Sequence, residues 1–507
     1  MKLIIYKEMN NVKMNIIRSL IVFILIPGLL SCHGDLDIMQ DNKLSYSNMW
    51  KDATDVMNST VGIYSRLRSN FIQDEINIFY WGEVRVGNYM WGPSLESNVQ
   101  NNNMIECRES RLSSTTESTR WSALYSAIDQ ANSVVKYATK VKMTESEFGY
   151  AMGQACFARA YCYFWAVRMW GDVPLVLVPI ESTTQPETYP ERASKESVYE
   201  QIGIDIETAL QYSEHLGNNK YFATSDAVNM LKAEWALWMY TSQKAGSAYL
   251  TLAEEALDAI GISDAKILDN YSDVFSRTNK ANKEVVFALL NDQGEKLLGG
   301  YNNFFHHPAN LIAEKYRQNP VPIIATQWWS YSEEFCNVLR DSKKNNGDKR
   351  VDKNLGDGPY GASGQNITWC NKFLGDMSGG VSVLDCDLLY YRYALAVMMH
   401  AELKYYQNDY SGAINSLNII AKRAYGVDNF YKDASKAAVL QALTDEYFLE
   451  FPAEGVIWWA LIRLDKIWDY NPALKEMSLK NKNILLWPIS ASARNKNNKL
   501  YQTEGWS

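Results

Sequence analysis

Apolar residues recur at three- and four-residue steps through two long stretches of this 507-residue chain, about 46–262 and again from about 385. In the segment WSALYSAIDQANSVVKYA, for example, Tyr125, Ile128 and Val135 would share one face of a helix. Strands would alternate with a period of two instead. The spacing therefore predicts a mostly α-helical fold.

Helix boundaries can also be predicted. The helix that contains QACFARAYCYFWAVRMW should end near Gly171, because a glycine with Pro174 just beyond it is a strong stop signal. Ser194 and Thr224 precede the next two helical segments and are predicted N-caps. Amphipathic helices of this length, joined by short loops, predict tetratricopeptide-like helix pairs, although no strict 34-residue repeat is present.

Residues 263–384 differ in composition from the helical stretches, since they are rich in Asn, Gly, Asp and aromatic residues. Residues 284–290 (EVVFALL) and 321–324 (VPII) resemble strands, and 342–364 is predicted to be a polar loop. A long irregular excursion inside a folded domain usually carries function. We therefore predict one domain over 46–507, with a loop-rich, ligand-facing region and little β structure, completed by C-terminal helices and a tail.

The N-terminus has the pattern of an export signal. Basic residues precede a short apolar run that ends in Leu29-Leu30-Ser31-Cys32, which predicts a signal peptide over 1–31 and starting at Met1 or Met14. Leu-Leu-Ser-Cys resembles a bacterial lipobox, and that resemblance implies that Cys32 is acylated and that 32–45 forms a tether. An ordinary cleaved signal is the alternative. No later apolar run approaches 18 residues, so we expect a lipid anchor and no membrane span.

Charge and composition exclude other classes. The net charge of −8 argues against a nucleic-acid partner. With five His and no Cys-x-x-Cys, no metal site or cofactor is predicted, and His306-His307 is read as a surface loop. Six cysteines follow Cys32; disulfides remain open, but Cys156 and Cys162 lie in a helical pattern that favours buried thiols.

Several segments, in order along the chain, resemble the SusD/RagB family of Bacteroidetes outer-membrane nutrient-binding lipoproteins. The most specific are ACFARAYCYFWAVRMWGDVPLV and EYFLEFPAEGVIWWALIR, and the others are WSALYSAIDQAN, LLYYRYALAVMMHAE, AINSLNIIAKRAYG, LWPI and a terminal Gly-Trp. The chain departs from the family at Tyr447 and Ile457, where Arg is usual, and at Ala460, where Asp is common. Those family positions look like an internal salt-bridge network.

The resemblance implies a SusD-like fold and a role. It implies a surface-exposed lipoprotein, anchored in the outer membrane, that captures oligosaccharide and delivers it to a SusC-like TonB-dependent transporter. The RagB branch of the family serves peptide uptake, so peptide cargo is the main alternative.

Aromatic residues suggest where a glycan would bind, because sugars offer apolar faces to aromatic rings and hydroxyls to polar side chains. The chain has 16 Trp and 32 Tyr. The densest suitable stretch is FYWGEVRVGNYMWGPS, whose glycines predict a loop. The first group of candidate ligand contacts is Trp81, Arg85, Asn88, Tyr89 and Trp91. Core packing is the alternative for these rings.

A second group of candidates lies in the irregular excursion: Tyr301, Asn302, Trp328, Trp329, Tyr360 and Trp369. On a strand, adjacent residues point to opposite faces, so one of Trp328 and Trp329 should be exposed. Trp residues within the helical patterns are predicted to be core instead, namely Trp165, Trp170, Trp235, Trp238, Trp458 and Trp459.

One sequence feature would fit an enzyme, a surface glycosidase. Glu450 and Glu454 would share a helix face, and paired carboxylates are the machinery of glycoside hydrolysis. Carboxylates on adjacent turns of one helix do not flank a sugar bond, however, so we predict structural roles for both and no catalytic residue.

Overall fold

Helices dominate the structure, as the apolar spacing predicts. The computed structural model describes residues 49–69, 71, 77–91, 102–292, 329–360, 365–373, 375–378, 381–383 and 385–506. The contacts divide the chain into Met1–Lys51 and Asp52–Ser507, and every element named below belongs to the second unit. Within the described residues, no helix is long and apolar enough to cross a membrane.

The α-helices of the described ranges are α1 (Ala53–Arg68), α2 (Asn77–Gly82), α3 (Asn102–Arg108), α4 (Ser122–Ala138), α5 (Glu145–Trp170), α6 (Lys195–Gln211), α7 (Ser225–Thr241), α8 (Ala248–Ile260), α9 (Glu333–Asn346), α10 (Val351–Asn354), α11 (Tyr393–Tyr406), α12 (Tyr410–Tyr425), α13 (Lys436–Glu450), α14 (Ile457–Arg463), α15 (Ile467–Tyr470), α16 (Pro472–Ser478) and α17 (Ala491–Lys496). The strands are β1 (Tyr89–Trp91), β2 (Val285–Leu289), β3 (Trp329–Tyr331), β4 (Leu355–Tyr360), β5 (Gln365–Cys370), β6 (Asp376–Ser378), β7 (Val381–Val383) and β8 (Leu388–Arg392).

The long helices pack in sequence. Helix α1 packs against α4, and each helix from α4 to α8 packs against the next. Helix α8 then contacts α11, which packs with α12 and α13, and α13 contacts α14. Helix α14 also reaches back to α7, so the C-terminal helices close onto the N-terminal ones. The predicted fold class is confirmed.

Helix α5 lies at the centre of the helical layers. Thr144 and Glu147 form a reciprocal capping box at its start, and Gly171 ends it with φ +71°. Every residue from Gln154 to Trp170 is buried, which explains why this helix is apolar on all sides. The predicted stop at Gly171 is confirmed, as are the N-caps Ser194 and Thr224, whose side chains accept backbone N–H groups.

The tryptophans predicted to be core residues are buried. Trp165, Trp170, Trp235, Trp238, Trp458 and Trp459 are at most 7% exposed. Trp165 packs edge-to-face on Trp459, with ring centroids 5.5 Å apart. Aromatic contacts of this kind join α5 to α14.

The β structure consists of two-stranded antiparallel pairs within the described part of the chain: β1 with β3, β2 with β8, β4 with β5, and β6 with β7. The strand predicted at 284–290 is confirmed as β2. The loop predicted over 342–364 is wrong in part, because this segment contains the end of α9, the short helix α10 and strand β4. Strand β4 includes Gly356 and Pro359, and it is held by pairing with β5.

The six cysteines after Cys32 are all buried and none forms a disulfide. The expectation of buried thiols at Cys156 and Cys162 is confirmed. Burial raises the pKa of the Cys156 thiol to about 12. Both thiols therefore act as small apolar groups in the core of α5.

Candidate functional site

The β1–β3 pair brings the two predicted aromatic regions together. Tyr89 lies opposite Tyr331 and Trp91 lies opposite Trp329 in its antiparallel register. The pairing continues beyond the strands, since the Ser332 N–H donates to the Asn88 carbonyl at 2.9 Å. Residues 92–101 and 293–328, which adjoin this pair in the chain, lie outside the described residues. The β1–β3 pair is therefore the point from which a candidate site can be built.

The β4–β5 hairpin completes this region, because β3 also packs against β5. On β5 the Trp369 indole lies directly over Gly356, where an added Cβ would stand 2.2 Å from its Nε1. Trp369 donates from Nε1 to Asn371 Oδ1 at 2.8 Å. The segments around residues 81–91, 329–331 and 355–370, separate in sequence, are thus neighbours in the fold.

Four predicted binding rings are buried, so the prediction of exposed loop rings is wrong for Trp81, Tyr89 and Trp369. The prediction that one of Trp328 and Trp329 is exposed stays a prediction, because Trp328 lies outside the described residues. Trp81 is 1% exposed, and Tyr89, Trp329 and Trp369 are 0% exposed. Trp81 lies on α2, donates to the Ser118 carbonyl at 2.9 Å, and packs against the rings of α5. In this conformation these rings are packing groups.

Arg85 is also buried, and its guanidinium is fully engaged. It donates to the carbonyls of Ile484 at 2.7 Å and Leu485 at 3.2 Å. The rings of Trp458 and Trp487 lie 4.8 and 5.6 Å from its central carbon. Burial lowers the pKa of Arg85 to about 10. Arg85 ties the β1 region to the C-terminal tail, and the prediction that it forks onto sugar hydroxyls is not supported by this geometry.

Two glycines of this region, which predict a loop in the sequence, have other roles in the structure. Gly82 ends helix α2 and faces the Gly455 backbone, where a Cβ would lie 2.1 Å from the carbonyl oxygen. Gly87 has φ +103° and turns the chain into β1. One glycine thus permits close packing and the other a turn, and neither places the neighbouring rings on an open loop.

Five of the predicted contacts stay predictions. The backbones of Trp91 and Tyr360 are in β1 and β4, but their side chains lie outside the description. Tyr301, Asn302 and Trp328 lie outside the described residues altogether, as does the predicted lipidation site Cys32.

Among the predicted contacts, Asn88 has a buried carboxamide whose two polar atoms are both unpaired within the described residues. It precedes β1 and is 5% exposed. Neither its Oδ1 nor its Nδ2 has a hydrogen-bond partner among the described residues. Leaving a buried carboxamide unpaired costs about 1–3 kcal/mol, so a partner for this group is expected beyond the described residues.

Glu83 is a residue of this region that the sequence analysis missed. It is fully buried, and its carboxylate accepts from the N–H groups of Ala453 at 3.0 Å and Gly455 at 2.8 Å. Tyr89 donates its hydroxyl to the same carboxylate at 3.4 Å. Burial outweighs these bonds and raises the pKa of Glu83 to about 8. Its signal in the sequence, an acidic residue between apolar ones, is too weak to single out.

Glu450 and Glu454 belong to a buried ionic network and not to an open cleft. The network joins four cations to five carboxylates, and its members are Arg350, Lys372, Arg392, Arg423, Asp348, Glu284, Glu446, Glu450 and Glu454. Arg392 reaches both Glu450 at 2.6 Å and Glu454 at 2.7 Å.

The charge state of Glu450 fits a structural role. Burial opposes its ionisation, but the guanidiniums of Arg423, Arg392 and Arg350 outweigh burial and hold its pKa at about 2. A glycosidase general acid needs the opposite shift. Among the described residues, no group of three or more His, Cys, Asp or Glu side chains is placed to hold a metal ion.

Tyr447 shows how the chain accommodates one departure from the family pattern. Its hydroxyl donates to Glu402, which Arg463 also binds at 2.8 and 2.9 Å. A tyrosine hydroxyl therefore occupies a place in a carboxylate–guanidinium pair where the family usually has an arginine.

The fold and this region define a helical-repeat protein with its candidate site at a strand pair beside the helices. Residues 40–232 match a SusD-like family described as "Starch-binding associating with outer membrane", and residues 323–506 match the SusD family. The chain belongs to the SusD/RagB family.

Individual relatives agree with this assignment. A SusD-like protein of Formosa agariphila is 22% identical over 504 residues, covering 94% of this chain and 96% of the relative. The crystal structure of a SusD superfamily protein from Bacteroides fragilis is 23% identical and matches 90% of this chain and 100% of its own, with a TM-score of 0.76. A laminarin-binding SusD-like protein covers the same shares at 20% identity and a TM-score of 0.71.

Proposed function

We propose that this protein is a non-enzymatic lipoprotein of the outer membrane, exposed at the cell surface, which binds oligosaccharide and delivers it to a SusC-like TonB-dependent transporter. Cys32 would carry the lipid. The binding site would lie beside the β1–β3 pair, with Asn88 and Trp91 as contacts. Tyr301, Asn302, Trp328 and Tyr360 would contribute from the segments that adjoin it.

The observation that carries the proposal is the unpaired carboxamide of Asn88. A carboxamide offers two donors and an acceptor, and a sugar hydroxyl both donates and accepts, so one hydroxyl pair can satisfy both ends of the side chain. Asn88 stands where the two aromatic-rich parts of the sequence meet through β1 and β3. An amide fork beside aromatic residues is a common arrangement for holding a sugar ring.

The comparisons support the same class of ligand. One matching family is described as starch-binding, and one protein of the same fold is laminarin-binding. The state of Glu450 and Glu454 supports binding without turnover, because ion pairing with Arg392 leaves neither carboxylate free to act on a sugar.

Calorimetric titration of the purified, lipid-anchored protein in detergent against an oligosaccharide panel tests the binding role. We expect at least one glycan to bind at micromolar or weaker affinity, about −8 kcal/mol or less favourable. Asn88→Leu should weaken that binding about tenfold or more, because a charge-neutral fork is lost. Asn498→Leu, at an exposed position on the C-terminal tail, is the matched control and should bind as the wild type does.

Two outcomes would contradict this proposal. The first is a panel in which no glycan binds while peptides do, which would assign the cargo to the peptide branch. The second is an Asn88→Leu protein with unchanged glycan affinity, which would remove Asn88 from the site.

Anchoring and delivery need a separate experiment in cells. Labelled palmitate should enter the wild-type protein, and Cys32→Ala should abolish the label and release the protein from the membrane fraction. Crosslinking followed by purification should recover a TonB-dependent transporter with the wild-type protein. If the wild-type protein takes up no label, the proposed lipid anchor is refuted. If the crosslinked sample contains no transporter, the proposed delivery role is refuted.

A further inference from the structure

A cavity lies on the helical layers, at the C-terminal ends of α7, α11 and α14. Its volume is about 550 Å³. Its lining residues are Tyr240, Thr241, Lys244, Gly246, Tyr405, Tyr406, Leu440, Arg463, Leu464, Asp465 and Lys466. That volume falls within the range of small-ligand sites, and the cavity mixes aromatic rings with charged groups.

Three tyrosines form its aromatic wall. Tyr406 packs edge-to-face on Tyr240 at 5.5 Å and on Tyr405 at 5.3 Å between ring centroids. The Tyr406 hydroxyl donates to the Arg463 carbonyl at 2.5 Å and so fixes the wall to α14. The hydroxyls of Tyr240 and Tyr405 have no hydrogen-bond partner among the described residues, although Tyr405 is only 8% exposed.

Two charged residues of the lining hold a backbone conformation that favours glycine. Lys244 has φ +56° just after α7, and Asp465 has φ +57° just after α14. Both stand at helix ends, where the left-handed position is usually glycine. Gly347 after α9 and Gly426 after α12 follow that rule, whereas Asn408 after α11 and Ala453 after α13 depart from it as Lys244 and Asp465 do.

The side chains of Lys244 and Asp465 make no ion pair or hydrogen bond within the described part of the chain. Both residues are exposed, so their charged groups are free to meet a ligand at the rim of the cavity. Lys466 adds a third charged group, paired with Asp469 at 2.9 Å.

We propose that this cavity is a second saccharide site, which takes a single neutral sugar ring or a disaccharide. The tyrosine rings would pack on the apolar face of the sugar, and the free Tyr240 and Tyr405 hydroxyls would bond its hydroxyls. Lys244 supplies donors and Asp465 supplies acceptors at the rim. A neutral ligand fits, because Lys244 and Asp465 have opposite charges, while Lys466 and Arg463 are paired with Asp469 and Glu402.

The cavity is separate from the candidate site beside β1. Helix α14 begins just after Gly455, which packs against Gly82, and ends at Arg463 in the cavity wall. Seven helical residues span about 10 Å, so the two places lie at opposite ends of α14. This proposal stands whether or not the site at Asn88 binds glycan.

The test is fluorine NMR of the full chain labelled with 3-fluorotyrosine, with the Tyr240 and Tyr405 signals assigned through Tyr240→Phe and Tyr405→Phe. The probes are glucose, galactose, mannose, N-acetylglucosamine and their disaccharides. We expect at least one to shift both signals saturably. The double variant Lys244→Gly with Asp465→Gly should weaken that binding about tenfold, through loss of two charged hydrogen bonds. Its melting temperature should equal or exceed that of the wild type, because glycine relieves both positive φ angles.

Asn88→Leu separates the two sites and should leave the fluorotyrosine shifts unchanged. If no probe shifts the two signals, or if the double glycine variant binds as tightly as the wild type, the second site is refuted. Glycan binding that Asn88→Leu abolishes and the double glycine variant retains would uphold the proposed function and refute this site alone.

Discussion

Gly82 faces Gly455 so closely that a Cβ on residue 82 would lie 2.1 Å from the Gly455 carbonyl oxygen. This contact holds helix α2 against the turn that precedes α14. It also explains why two glycines lie in sequences that are otherwise rich in aromatic residues.

Gly82→Ala should therefore destabilise the protein by about 2–3 kcal/mol, because backbone has to move to admit the methyl group. Urea unfolding followed by circular dichroism measures this. Gly62→Ala is the matched control, since a Cβ there would meet the Gln130 side chain at an ordinary 3.7 Å. Gly62 lies inside α1, so that change should stabilise by about 0.5–1 kcal/mol. Equal stability of Gly82→Ala and the wild type would show that the contact is not tight.

Glu83 predicts a dependence of stability on pH. Its pKa is raised from 4.5 to about 8 in the folded protein, so the folded state binds more protons than the unfolded state between these values. The stability that Glu83 contributes is therefore highest below pH 4.5 and falls as the pH rises to 8. The unfolding free energy of the wild type minus that of Glu83→Gln should fall steadily from pH 5 to pH 8, because only the wild type loses stability as this carboxyl ionises. A difference that is constant over that range would mean that Glu83 titrates normally.

Substitution of Arg392, inside the ionic network, should cause a large loss of stability. Arg392→Met leaves Glu454 and Glu450 buried without their shared partner, and should cost about 3–5 kcal/mol at pH 7. Because Arg392 helps to hold the pKa of Glu450 near 2, the loss should diminish as the pH falls from 4.5 toward 2.

The control for Arg392 is Arg340 on α9. Its partners Glu333 and Asp357 lie near the surface, and its side chain is 34% exposed. Arg340→Met should change the unfolding free energy by about 0–1 kcal/mol. If Arg392→Met and Arg340→Met lower the unfolding free energy by the same amount, burial is not the reason that the network stabilises the fold.

Substitution of Asn88 by leucine should raise the stability of the protein and lower its affinity for glycan. Asn88→Leu removes an unpaired buried amide and keeps the same branching and number of heavy atoms, so the ligand-free protein should gain about 1 kcal/mol. Thermal unfolding without glycan measures the gain, and Asn498→Leu should show none. A destabilised Asn88→Leu protein would mean that the fold itself satisfies the amide.

Much of the helical architecture follows from the sequence, because helix ends carry local signals. Gly171, Ser194 and Thr224 act through their own backbone and side-chain geometry, so their roles could be predicted without tertiary information. Strand β4 could not, since its Gly356 and Pro359 disfavour strands and only pairing with β5 holds them extended.

The candidate site was less predictable, for a related reason. The residues next to Trp81 and Trp329 in the sequence do not indicate whether these rings face solvent or the core. Only the packing of α2 and β3 shows that both rings are buried. Composition singled out segments that meet at β1 and β3, and their role in binding stays a prediction. It could not show that the Asn88 carboxamide is buried with both polar atoms unpaired among the described residues.

The β1–β3 pair also bears on the order in which the protein folds. Its three residue pairs join positions about 240 residues apart in the chain, whereas most helix contacts join near neighbours in sequence. Closing so long a loop for so few hydrogen bonds is unfavourable until the helices between have packed. The region around Asn88 should therefore assemble last during refolding, so that a chain still folding lacks the candidate site although most of its helices have formed.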